Sequence, residues 1–162
     1  MSLKPVLKIR QSRVKEADDK VRACKAVVRE KLAAQEQAEQ NLAAFRTSRP
    51  DREAALFDAM KGKTLGVSAF DDYRAGLRNM DLEEKRLGEL INEVKKEVKK
   101  VEKDLEKATK EYDTIVRSVE KLEEFVKLER EEEARLAAEA EEAEMEDFLL
   151  AKMSRRGGAD ED

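Results

Sequence analysis

Apolar residues recur along most of this chain in steps of four and three. From Phe70 the series runs Phe70, Tyr73, Leu77, Met80, then past Glu84 through Leu87, Ile91, Val94, Val98, Val101, Leu105, Ala108, Tyr112, Ile115, Val119, Leu122 and Val126. It continues past Glu129 and Glu133 to Leu136, Ala140, Ala143 and, beyond Asp147, Leu150. The positions between are mainly charged, so the pattern predicts an a/d seam on one helix held in phase over more than ten heptads. A strict seven-residue repeat implies a left-handed supercoil with a partner helix. An earlier segment can supply that partner: Leu7, Val14, Val21, Val28, Gln35 and Leu42 share one heptad position, and Arg10, Ala17, Cys24, Lys31, Ala38 and Phe45 share the other.

Punctuation separates the two seams. In "TSRPD", Pro50 either starts a new helical turn, with Ser48 as N-cap and Asp51 near N3, or kinks a continuing helix. Leu56, Phe57 and Met60 resume helical spacing, "GKTLGVS" follows with two glycines, and Ser68 is placed to cap the second helix. A short turn between two apolar-striped helices makes them antiparallel neighbours. The expected fold is all-α: an elongated antiparallel two-helix coiled-coil hairpin with a longer second helix, forming a single domain over residues 1–162. The first helix is predicted over about 4–61, bent or broken near 50, the tip over 62–68, the second helix over about 69–153, and a disordered tail over 157–162. Folding at about residue 65 sets Leu7 beside roughly residue 123, which leaves residues from ~127 to 153 without a partner in the chain. The glutamate- and alanine-rich part of this overhang can persist as a solvated helix. Its end, "FLLAKM", is apolar and calls for an outside partner or a second copy.

Composition supports this reading and narrows the function. Charged residues make up 44% of the chain and aromatics 4%, too few bulky side chains for a globule of 162 residues. The net charge of −4 argues against a nucleic-acid binder. That charge is unevenly spread: residues 1–31 carry ten Lys/Arg against four Asp/Glu, a net +6, and residues 123–147 carry three against twelve, a net −9. With no histidine and a single cysteine, the chain lacks the commonest general base and metal ligand, so neither an enzyme nor a metal or cofactor site is expected. Cys24 is explained as a small core residue of the seam. The first residues lack a signal-peptide core and no run approaches a membrane span, which suits a cytoplasmic protein in a reducing compartment.

Three features invite chemistry and are better explained without it. "GKT" at residues 62–64 would need glycine at 57 for a phosphate loop, and that position is Phe57. Carboxylates from Glu129 to Asp147 lie on one helix and splay outward, whereas a hard cation needs oxygens converging from a shaped loop. The basic first segment has a narrow apolar seam, not the broad apolar face of a helix that lies on a membrane. Gly76 and Gly88, inside the second helix and off the seam, indicate either tolerance, a close approach by another backbone, or a bend near the tip.

Three stretches, "LKPVLKIR" (Leu3 to Arg10), "MKGKTLGVSAFDDY" (Met60 to Tyr73) and "EMEDFLLAKMSRR" (Glu144 to Arg156), resemble the corresponding parts of the YscO/FliJ family. These are small coiled-coil stalk proteins of bacterial type III secretion and flagellar export. The resemblance spans essentially the whole chain. It implies an antiparallel coiled coil similar to the central-shaft helices of rotary ATPases. Such a protein engages the hexameric export ATPase through its two termini, promotes its assembly and hydrolysis, and links it to the cytoplasmic domain of the export gate; some members also bind free secretion chaperones. Together with the uneven charge and the apolar overhang, the resemblance makes Lys4, Val6, Leu7, Lys8, Arg10, Arg13, Phe148, Leu149, Met153, Arg155 and Arg156 the ATPase-binding candidates. Phe70, Tyr73, Leu77 and Met80 are the export-gate candidates; Gly76 stands where flagellar relatives carry a bulky residue, which makes Leu77 and Met80 the firmer of these. The leading expectation is a non-enzymatic coupling protein at the inner-membrane secretion apparatus, without cofactor, nucleic acid or membrane insertion. Its rivals are a chaperone escort and an architectural dimer paired through the overhang.

Overall fold

A computed structural model of the chain describes residues 2–62 and 66–159. Two helices, α1 (Lys4–Lys61) and α2 (Val67–Ala159), pack against each other as an all-α hairpin, and no strand occurs among the described residues. They contribute to two compact units, one formed by Asp18–Glu111 and the other by Met1–Ala17 with Tyr112–Asp162.

In the Asp18–Glu111 unit the buried side chains are those of the heptad series. Val21, Ala38 and Phe45 of α1 face Leu87, Ile91, Val98 and Ala108 of α2, with Cys24, Val28, Leu42, Val94, Val101 and Leu105 half-buried beside them. Ala108, at 2% exposure, is the most enclosed of these. Two helices cannot surround a long side chain, so the seam is completed at its flanks by ion pairs. Lys20 reaches Glu111 at 3.3 Å, Lys31 reaches Glu97 at 3.1 Å and Arg46 reaches Glu84 at 2.8 Å. Partner numbers on α2 fall as those on α1 rise, so the helices are antiparallel.

Pro50 neither ends nor interrupts α1. It has no N–H for the carbonyl four residues back, a defect worth about 3 kcal/mol in a helix interior. Side chains bracket the defect. The Thr47 hydroxyl donates to the Ala43 carbonyl at 2.9 Å, and the Ser48 hydroxyl donates back to Phe45 at 3.1 Å instead of capping forward. Arg49 donates to Glu53 on its own helix and to Glu84 of α2, each at 2.7 Å, and also to Asp81. These bonds hold the Arg49 guanidinium charged, with Asp81 the leading influence and Glu53 next. The Glu84 carboxyl is held below the usual carboxylate range, first by the Arg46 hydrogen bond and then by the Arg46 and Arg49 charges. Arg52 lies over the Phe45 ring at 5.4 Å. Of the expected bend or break, the break is absent: α1 is continuous, and just before the proline Arg46 and Arg49 tie it to α2.

At the turn, the Gly62 N–H closes α1 on the Asp58 carbonyl at 3.1 Å. The Gly66 carbonyl accepts from Ala69 and Phe70, so Gly66 opens α2 and the helix begins two residues before the expected 69. Ser68 is therefore inside the helix and not its cap. Residues 63–65 of the expected tip, including Lys63 and Thr64 of "GKT", lie outside the described residues. Of the two glycines inside α2, only Gly76 meets a neighbour: a Cβ there would sit 2.8 Å from Leu56 Cδ1, whereas one at Gly88 would meet nothing within 4 Å. At Gly76 it is the Leu56 side chain, not another backbone, that comes close, and at Gly88 the space is open.

In the other unit, Leu7, Val14 and Ala17 of α1 lie half-buried in register with Ile115, Val119, Leu122 and Val126 of α2, where Val119 and Val126 are buried. Arg10 holds its heptad phase but is exposed, and its guanidinium turns aside to the Ser118 hydroxyl. The pairing closes where the Leu3 N–H donates to Glu129 Oε2 at 3.2 Å, a carboxylate at the start of a helix where the macrodipole favours it. From residue 130 to 158 every side chain of α2 is exposed. The bare part thus starts at 130, three residues later than the expected ~127. The helix also runs on through Gly157 and Gly158 to Ala159, where a disordered tail is expected; extending an existing helix carries no nucleation cost, which offsets glycine's poor propensity. Residues 160–162 of that tail lie outside the described residues.

Candidate protein-interaction surfaces

The bare end of α2 is apolar on more than one side. Met145, Phe148, Leu149, Leu150 and Met153 are between 51% and 69% exposed. At 100° per residue they spread over roughly 200° of the helix circumference, about twice the stripe a single packed neighbour covers. Only Leu150 continues the seam. Lys152, Arg155 and Arg156 follow, all exposed.

The basic candidates on α1 form a separate surface. Lys4, Val6, Lys8, Arg10 and Arg13 are exposed, and Leu7 is half-buried in the seam. Phe148 lies nineteen residues beyond Glu129, about 28 Å further along α2, so the two sets proposed for one partner are not contiguous. Their opposite charges do not satisfy each other either: among the described residues no ion pair joins residues 1–17 to residues 112–159.

Between them lies a surface the heptad reading missed. Phe125 and Leu128, one step off the seam, are 59% and 58% exposed. Phe125 lines a shallow groove with Arg10, Arg117, Lys121 and Leu122 on one side, and another with Leu3, Leu128 and Arg135 on the other. Their signal in the sequence was bulky apolar residues at positions where the repeat calls for polar ones.

Near the turn, the four expected gate residues divide. Phe70 is 52% exposed, whereas Tyr73, Leu77 and Met80 are half-buried against α1 in the seam. Phe57, 41% exposed, meets Tyr73 edge-on with ring centroids 6.1 Å apart, and Val67 is 81% exposed. Lys61 covers Phe57 at 5.1 Å and Arg74 covers Phe70 at 5.9 Å. The accessible apolar side chains near the turn are therefore Phe57, Val67 and Phe70, of which only the last was among the expected gate residues.

Among the described residues, two long helices carry several exposed apolar surfaces. Comparison with known sequence families decides the context: the profile described as type III secretion protein YscO matches residues 3–150. The chain belongs to the YscO family. Curated proteins and solved structures gave no significant match. As a member of this family the protein is associated with type III secretion. No helix among the described residues is long and apolar enough to cross a membrane.

Proposed function

We propose that the protein is a non-enzymatic central stalk of a type III secretion system, which binds and stimulates the export ATPase and links it to the export gate. It works in the cytoplasm, peripheral to the apparatus at the inner membrane. The observation that carries this reading is the end of α2. An apolar surface spread around roughly 200° of one helix suits a partner that encloses the helix, as subunits around a ring's axis do, better than a single neighbouring helix. Family membership supplies the system in which such a ring operates. The basic start of α1 would make a second contact with the same ring, and the Phe57, Val67 and Phe70 patch is the surface offered to the gate.

The test is hydrolysis by the cognate ATPase, with and without this protein and with a Phe148→Asp, Leu149→Asp variant. Both side chains are exposed and contribute nothing to the seam, so the variant should fold normally. Stimulation by the native chain that is lost in the variant supports the reading. Absence of binding and of any rate change over a wide concentration range overturns it.

A further inference from the structure

The stretch between Glu129 and the apolar end carries a different message, written in the heptad columns of α2. Immediately before one seam position lies the column Glu97, Asp104, Glu111, Ser118, Phe125, Glu132, Glu139, Glu146. Where α1 is present this column receives its cations: Lys31 at Glu97, Lys20 at Glu111 and Arg10 at Ser118. Where α1 is absent the same column holds three glutamates in successive heptads. The seam continues with them through Leu136, Ala140, Ala143 and Leu150. Two seam positions, Glu133 and Asp147, are themselves acidic, and residues 131–147 carry nine Asp/Glu against one Arg, a net −8. That arginine, Arg135, bridges Glu132 and Glu139 within the helix; among the described residues Glu133, Glu144, Glu146 and Asp147 form no ion pair.

We propose that this bare seam docks a basic amphipathic helix of a partner protein, which takes up the row α1 vacates and lies antiparallel to α2. The inference rests on the reading that the free end of α2 is where a partner binds. Continuity with the α1–α2 interface fixes the register, and the unspent charge fixes the chemistry. Residues 130–150 offer three heptads, about 31 Å of helix. Alanines at 140 and 143 let a second backbone approach closely, and the thin apolar contact they provide leaves selectivity to charge. The incoming helix needs Lys or Arg beside or on its apolar stripe, as α1 has in Lys20 next to Val21 and Lys31 on the seam itself. Cations reaching across the stripe would meet Glu133 and Asp147. An acidic helix, a nucleic acid or an anionic membrane is repelled by the same surface. Antiparallel entry places the partner's first turn, where acidic residues are favoured, beside Arg155 and Arg156.

The experiment titrates the full-length protein with fluorescein-labelled peptides of three heptads, followed by anisotropy. One peptide has leucine on its stripe and lysine on its flanks; a second has glutamate on the flanks; a third has the first one's composition with its period scrambled. The lysine peptide should bind, weaken by about tenfold or more as salt is raised through the range where surface charges are screened, and fail on a Glu139→Lys, Glu146→Lys variant. That variant should instead gain the glutamate peptide. Equal binding of the periodic and scrambled peptides, or undiminished binding of the lysine peptide to the variant, overturns the proposal. The same variant separates this inference from the ATPase reading. If the ATPase binds the variant as well as it binds the native chain and the lysine peptide also binds both equally, the reading survives and this inference falls. If the ATPase binds neither while the peptides exchange partners as described, the reading falls and this inference stands.

Discussion

Ile91 and Leu136 occupy the two alternating seam positions of one seven-residue repeat, yet the structure assigns them opposite energetic roles. Ile91 is 8% exposed in the seam with α1, and Leu136 is 53% exposed with no helix beside it. Replacing Ile91 with asparagine forfeits about 2 kcal/mol of apolar burial, taking the middle of the range for a fully buried aliphatic side chain. It also places an amide where its hydrogen bonds are hard to make, which adds about 1–3 kcal/mol. The sum is a loss of about 3–5 kcal/mol, limited at the upper end because a two-helix seam lets the amide lean toward water. Leu136→Asn loses no shared burial, and its cost is the propensity difference of about 0.5 kcal/mol, confined to a stretch that takes no part in helix pairing. Urea unfolding followed by helical circular dichroism, with slopes compared to confirm that the same surface is exposed, measures both. A loss below about 0.5 kcal/mol at Ile91 would show that the position is not core. A loss at Leu136 equal to that at Ile91 would show that the distal seam already has an intramolecular or self-associated partner, and the assignment of a bare end would fail.

Other outcomes follow from single contacts. Gly88→Ala should raise stability by about 1 kcal/mol, because the added methyl meets nothing, whereas Gly76→Ala should gain clearly less because Leu56 must give way; equal gains in thermal unfolding would refute the close approach. Pro50→Ala restores a donor within a continuous helix and should stabilise by about 1–3 kcal/mol, and a neutral or negative change would mean α1 is not helical through residue 50. The folded-state pKa of Glu84 lies below its ordinary 4.5, so its stabilising contribution is complete above that value and is lost as pH falls through the folded one. Acid unfolding below about pH 4.5 should therefore be blunted in Glu84→Gln, and identical acid profiles for variant and native chain would remove the Arg46 and Arg49 contacts from the account.

Much of the hairpin is legible in the sequence because a seven-residue period is a global signal: every core position from Val21 to Val126 falls on it. Three features were hidden, each for a local reason. The continuity of α1 through Pro50 depends on Arg49 reaching Asp81 and Glu84, residues more than thirty positions away that no nearby pattern reveals. The start of α2 is set by the backbone carbonyl of Gly66, which leaves no side-chain signature, while Ser68 carries the sequence mark of a cap and does not serve as one. Phe125 and Leu128 lie one step off the seam, where a heptad repeat by itself implies solvated side chains. For the candidate surfaces, the repeat itself conceals which side chains are accessible. Tyr73, Leu77 and Met80 read as a cluster with Phe70 on one seam, yet the three are half-buried while Phe70, at its start, is exposed.

The central claim is that α2 beyond Glu129 is unpartnered within the chain and that its apolar end is covered by the secretion ATPase. Hydrogen–deuterium exchange of the full-length protein, alone and mixed with that ATPase, addresses both halves at once. The account expects amides over 130–158 to exchange much faster than those over 87–126 in the isolated protein, and to become protected around Met145 to Arg156 when the ATPase is added. Strong protection of 130–158 in the isolated chain, or unchanged exchange there in the presence of saturating ATPase, would contradict it.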